Sequence, residues 1–315
     1  MTFRFSVNIF GLESRRAFVV FCRDAEREGY DAVDTTDHLG VGSPFPLLVA
    51  AADATRRLRV GTLVLNVEFW NPVLLARDIA TTDILTDGRL EIGLGAGHMK
   101  WEFDRADIEW EGFTARTRRL ESTITTLRDH FGGDGYSEQE TLRAEYDIPV
   151  LRPIQRRGFG RQGPPLIVGG TGERVLRVAA EYADIISVAG AFQIQGRPPG
   201  TFRIGTAAEA AARVAFTREC AGDRANTIEW HTLLQAVCET EDRRGTAEVL
   251  LRRTGIEMPV DRLLDSPFLL IGTVDEMARQ ILDNRDRLGL SHYTVHAPYR
   301  EAFAPVMART RALAG

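Results

Sequence analysis

Two histidines stand where a protein can use them to move protons. His38 closes the stretch DAVDTTDH, directly after Asp37. His98 follows RLEIGLGAG (residues 89–97), whose last three glycines fall at every second position. Imidazole titrates near neutrality, so either group can give or take a proton at physiological pH. A third stretch, LIVGGTGERVL, is an apolar run that ends in Gly169, Gly170, Thr171 and Gly172 and passes straight into a helical pattern. Backbone N–H groups at a helix start, with a threonine hydroxyl beside them, suit a phosphate. The same residues also make an ordinary tight strand-to-helix turn. No histidine–carboxylate spacing matches a metal motif, so no metal is expected.

Alternate glycines after a strand also occur in dinucleotide-binding turns. That fingerprint needs a small residue at position 98, a helix opening at once and an acidic residue after the next strand. His98 occupies that position, and the clear helix starts only near Thr114. Glycines at a strand's end instead let a flat ring approach the backbone. Within this strand Leu90, Ile92 and Leu94 share one face, and Glu91, Gly93 and Gly95 share the other. A buried Glu91 needs partners, and Ser6, Asp34 and Thr36 have the matching parity.

The elements that position these residues follow a regular rhythm. FRFSVNIF alternates apolar and polar residues; SRRAFVVFCRDAEREGY follows at helical spacing with Gly29 as its stop. By residue 95 the chain reads four strands alternating with three helices, with short connections and with Asn71-Pro72 suited to open the third helix. Further strands are expected at PPLIVGG, ADIISVAG, TIEWHTLLQAVCET and HYTVHA. Eight strands alternating with helices predict one (β/α)8 TIM barrel spanning 1–315, with excursions near 132–163, 190–205 and 241–265. An open doubly wound sheet is the alternative. Barrel catalytic groups sit at the C-terminal strand ends. Here those ends carry Asn8, Asp37 and His38, Asn66 and Val67, Gly95, Ala96, Gly97 and His98, Gly169 to Gly172, Ser187 to Gly190, Gln235 and His296. Trp70, Trp101 and Glu102 lie just beyond strand ends and, with Asn8, are candidates to meet a substrate.

Composition is that of an ordinary globular protein: 44% hydrophobic and 26% charged over 315 residues. The net charge of −5 argues against a nucleic-acid or anionic-membrane partner. Cys22, Cys220 and Cys238 are scattered and read as reduced thiols. The N-terminus lacks an apolar signal run, and no run is long enough to span a membrane, so a cytoplasmic location is expected.

TTDH, the block LRVGTLVLNVEFWNPVLLARDIATTDILTDGRLEIGLGAGHMKWEF, PPLIVGGTGERVLRVAAEYADIIS and IGTVDEMARQI together resemble the bacterial luciferase-like superfamily, and within it the branch that uses the deazaflavin coenzyme F420. That resemblance covers nearly the whole chain. It implies a luciferase-like barrel, usually a homodimer, with the cofactor phosphate near Gly169 to Gly172. It implies a non-proline cis peptide in the Leu65-Asn66-Val67 region backing the ring, supported by Asp37 and the Gly95–Gly97 backbone. His38 matches the proton-handling histidine. Some relatives carry a glutamate just after the strand-four glycines, where this chain has His98. The implied activity is hydride transfer between F420 and a small organic substrate. The alternatives are an FMN-dependent monooxygenase and a non-catalytic cofactor-binding barrel. Lys100, the only lysine, and Arg156, Arg157, Arg161 and Arg203 are candidates to supply cations at the mouth.

Overall fold

The computed structural model describes residues 2–11, 13–133 and 140–315; positions 134–139, part of the first expected excursion, lie outside them. The first half of the barrel contains β1 (Arg4–Ile9), α1 (Arg15–Glu28), β2 (Ala32–Thr35), α2 (Pro44–Ala54), β3 (Arg59–Thr62), β4 (Leu65–Asn66), α3 (Pro72–Leu85) and β5 (Leu90–Gly95). Two helices follow, α4 (Lys100–Arg105) and α5 (Phe113–Gly132), then α6 (Glu140–Tyr146). The second half contains β6 (Leu166–Gly170), α7 (Glu173–Tyr182), β7 (Ile185–Val188), a ribbon of β8 (Ala191–Gln193) and β9 (Phe202–Ile204), and α8 (Ala207–Ala221). It ends with β10 (Glu229–Leu234), β11 (Ala236–Glu239), α9 (Arg243–Thr254), α10 (Val260–Leu264), β12 (Leu269–Gly272), α11 (Val274–Leu288), β13 (Leu290–His296) and α12 (Arg300–Ala314).

Local chemistry sets the helix ends. Ser14 accepts the Ala17 N–H and Gly29 closes α1 at φ 91°, leaving Phe18, Cys22 and Ala25 to pack inward. Thr273 and Glu276 form a reciprocal capping box on α11. The strands pair in parallel in the order β3, β2, β1, β13, β10, β7, β6, β5, and β5 returns to pair with β3. That last pairing closes an eight-stranded barrel and excludes the open sheet. β4 continues β3 and pairs with the end of β5. No helix among the described residues is long and apolar enough to cross a membrane.

The N-terminal end of the barrel interior is charged. Glu91, 2% exposed, accepts from Arg4 Nη2 at 2.7 Å and from Arg59 Nε. The partners expected from parity, Ser6, Asp34 and Thr36, are not the ones it uses; the guanidinium groups reach it from the starts of β1 and β3. Burial alone would raise the Glu91 carboxyl, but Arg4 and Arg59 outweigh it and hold it below the ordinary range. Arg4 also donates to Glu229 at 2.8 Å. Above this layer, His292 Nε2 meets Ser6 Oγ at 2.7 Å, and His231 bridges Ser187 and Thr294, both at 2.8 Å. His292 Nδ1 in turn lies 3.0 Å from Glu229 Oε1.

Asp34 lies in the same interior and has no cation in contact. Burial pushes its carboxyl up to about 6. Its folded value thus exceeds its unfolded one, so its contribution is favourable below the unfolded value and is lost as pH rises through about 6. Above that pH the buried carboxylate is a liability of about 2–3 kcal/mol. Asp34→Asn is expected to raise the Tm at pH 8 by a few degrees and to change it little at pH 5. Thermal unfolding at the two pH values checks this; equal shifts at both would refute it.

Candidate active site at the barrel mouth

His38 stands just past the C-terminal end of β2. Its Nδ1 lies 2.9 Å from Glu102 Oε1, and the same oxygen accepts the Leu39 N–H at 3.0 Å. An acceptor oxygen at that distance places the proton on Nδ1, which leaves Nε2 for a substrate. Glu102 is 2% exposed, whereas the His38 side chain is 28% exposed. The glutamate thus stands behind the histidine, on the side away from solvent. It comes from α4, a short helix that the sequence reading missed. α4 turns the chain back so that a residue seven positions beyond Gly95 reaches β2.

Asp37 ties the same strand end to the next. Its Oδ2 accepts the Trp70 indole N–H at 2.8 Å and the Asn66 N–H at 3.1 Å, and burial raises its carboxyl. Trp70 packs edge-on against Phe45 at 5.3 Å. The Trp70 indole N–H is thus spent on Asp37, and its half-buried ring lies in the wall beside the strand end. Asn66 uses Oδ1 to cap the turn at Val67–Phe69 by accepting the Glu68 N–H, while its buried Nδ2 has no partner.

The expected ring-backing region needs two corrections. Leu65 and Val67 are both 0% exposed and point into the core, so Asn66 alone of the three presents a side chain at the mouth. The cis peptide lies two bonds before that region, between Leu63 and Val64. The glycines of β5 answer to the same segment. A Cβ at Gly95 would stand 2.6 Å from Val64 Cγ2, and one at Gly93 would stand 2.1 Å from the Thr62 carbonyl oxygen. These glycines make room for Val64, which then borders the mouth in place of a bare strand. Gly97 is required for a different reason. Its φ is +69°, and a Cβ there would meet Asn66 and Phe103 at 2.6 and 2.7 Å.

Ala96 and Gly97 are held from outside by Arg116, which donates to both carbonyl oxygens and lies 3.8 Å over the Trp110 ring. Trp101 is 54% exposed on α4, which does not support its assignment to the substrate. Gly169 to Gly172 end β6 and open α7. A Cβ at Gly169 would meet Ser187 and one at Gly170 would meet Val175, so two of these glycines serve close packing. Gly172 caps α7 without a side-chain hydrogen bond, leaving the first backbone N–H groups and Thr171 for a ligand.

Asn8 is buried with neither side-chain atom partnered, and His296 Nδ1 is likewise unpartnered. Together with Asn66 Nδ2 and Thr36 Oγ1, they form a set of buried polar atoms at four strand ends that lack protein partners. Such atoms are costly unless something else satisfies them. Of the expected cations, Arg156, Arg157 and Arg161 are at the wrong end. Their segment is tied to the start of β5 by Gln155, which donates to the Leu90 carbonyl, and to the start of β6 through the Gly158–Gly163 bridge.

A luciferase-like monooxygenase sequence model matches residues 4–292. The chain belongs to the luciferase-like monooxygenase family. Among its relatives in the family is an "F420-dependent glucose-6-phosphate dehydrogenase" of Amycolatopsis mediterranei, 27% identical over 307 residues that cover 90% of this chain and 89% of the relative. The oxygenase component of a "flavin-dependent trigonelline monooxygenase" of Acinetobacter baylyi is 31% identical over 143 residues, covering 44% of this chain and 39% of that protein. A solved F420-dependent secondary alcohol dehydrogenase, in complex with an F420-acetone adduct, shares the luciferase-like fold. Its TM-score is 0.71 at 15% identity, with 98% of this chain and 99% of that one covered.

Proposed function

We propose that this luciferase-like protein is an oxidoreductase that moves a hydride between coenzyme F420 and a small organic substrate, with His38 handling the proton. The observation that carries the reading is the His38–Glu102 pair at the mouth, with Nε2 turned free of protein partners. The full-length relative named for F420 supports the choice of cofactor. The unpartnered atoms of Asn8, Thr36, Asn66 and His296, and the uncapped start of α7, fit a polar ligand of that kind.

In this proposal Gly169 to Gly172 and the α7 N–H groups hold the phosphate, while Val64, Asn66 and the Gly95–Gly97 backbone support the ring. A bound deazaflavin supplies the hydride carrier. The protein's own residues orient the acceptor and exchange one proton with it at His38 Nε2. Glu102 keeps the imidazole in one tautomer, as orienting carboxylates do in other acid–base pairs. A homodimer located in the cytoplasm belongs to the same proposal.

Titrating the protein with F420 and with FMN, each followed by fluorescence, tests the cofactor assignment. Saturable F420 binding at least about tenfold tighter than FMN is expected. Tight FMN binding with none of F420 would replace this reading by the monooxygenase one.

A further inference from the structure

The rim of the mouth is aromatic. Phe202 of β9 lies 5.5 Å from His98, His98 lies 5.5 Å from His38, His38 lies 6.4 Å from Phe10, and Phe10 lies 5.1 Å from His296. These five rings come from five separate segments, so they form a continuous arc around the entrance. His98 contributes as a neutral ring, because burial among its neighbours and the nearby His38 both disfavour its cation.

Three of the cations near this arc are already engaged. Lys100 donates to both oxygens of Asp104, at 2.6 and 2.8 Å. Arg203 donates to both oxygens of Glu209. Arg116 is spent on the Ala96 and Gly97 carbonyls. A phosphorylated substrate brings a dianion that needs unspent cations or several donors, and placing it among carbon rings is costly.

We propose that the substrate is an uncharged molecule with an apolar body and one alcohol or carbonyl group, its body held by Phe10 and Phe202 and its oxygen facing His38. This rests on the hydride-transfer reading above and narrows it. It separates the chain from its relatives named for glucose 6-phosphate. In the oxidative direction the substrate O–H bond breaks and its proton passes to His38 Nε2. The adjacent C–H bond breaks with its electron pair, delivered as hydride to the F420 ring, and the carbon–oxygen double bond forms. Reduction reverses each transfer.

Ligand-observed saturation-transfer NMR with cyclohexanone and, separately, glucose 6-phosphate tests the assignment, on the protein alone and with F420 added. Transfer to the cyclohexanone ring protons is expected, with none to the sugar phosphate. Phe10→Ala and Phe202→Ala should each weaken cyclohexanone binding about tenfold, the loss of much of an apolar contact surface. Absence of transfer to cyclohexanone, or unchanged affinity in both variants, overturns the proposal. So does binding of glucose 6-phosphate that disappears in Arg197→Ala, since Arg197 lies on the exposed loop between β8 and β9. Failure of F420 itself to bind is read separately in the titration and strikes the hydride-transfer reading instead.

Discussion

His38→Ala is expected to lower kcat by about 10²- to 10⁴-fold, the usual range for losing a positioned proton-transfer group. F420 affinity should change by less than about threefold, since His38 makes no contact with the Gly169–Gly172 turn assigned to the cofactor phosphate. Glu102→Ala should cost about 10- to 100-fold in kcat, because Nδ1 of His38 then loses the acceptor that fixes the ring. The two changes should not add. With His38 absent, Glu102 has nothing left to orient, so the double variant should be no slower than His38→Ala alone. Steady-state kinetics and F420 titration of the three proteins decide this. Full turnover in His38→Ala would remove the residue from the mechanism, and strict additivity would separate Glu102 from it.

The second large effect lies at the other end of the barrel. Glu91→Ala is expected to destabilise the fold by about 3–5 kcal/mol, as breaking one side of a buried ion pair does. It leaves Arg4 and Arg59 facing each other across the interior, with only Arg4 keeping a second carboxylate, Glu229. The pH dependence has the opposite sign to that of Asp34. The Glu91 carboxyl is held low in the folded state, so its contribution is complete above the unfolded value of about 4.3. It is lost as pH falls through the lower folded value. Denaturant unfolding at pH 7 and pH 4 reads both effects; a variant as stable as the parent at pH 7 would show that the arginines are held by other means.

Much of this architecture was legible in the chain. Alternation in FRFSVNIF, the Asn71-Pro72 helix start and the Thr273–Glu276 box each appear in the structure where their chemistry puts them. His38 was legible because it ends a strand whose partners can be counted. Glu102 was not legible as its partner, because α4 is only six residues long and gives no periodic signal. Its role depends on a reversal of chain direction that no spacing encodes. The partners of Glu91 were missed for a related reason. Parity finds side chains on the same face and level, whereas Arg4 and Arg59 reach up from the strand starts on long stems. The arginines of 156–161 were misplaced because a long connection can return to the foot of the next strand. The run TIEWHTLLQAVCET read as one strand; in the structure it divides at Gln235, whose N–H turns to the Phe268 carbonyl.

That division has a consequence for how the molecule comes apart. Past Gln235, β11 leaves the barrel and pairs only with β12. Beside that pair, Ala236, Ala247, Leu263, Leu269 and Ile271 form a small apolar cluster separate from the barrel's own. The chain thus contains a shallow cooperative unit seated on a deep one. Amide protons of β11 and β12 exchange through a partial opening that costs the small cluster and the contacts Val237 and Leu270 make with the barrel core. Those of β1 and β13, locked between neighbours in the closed barrel, exchange only when the whole barrel opens.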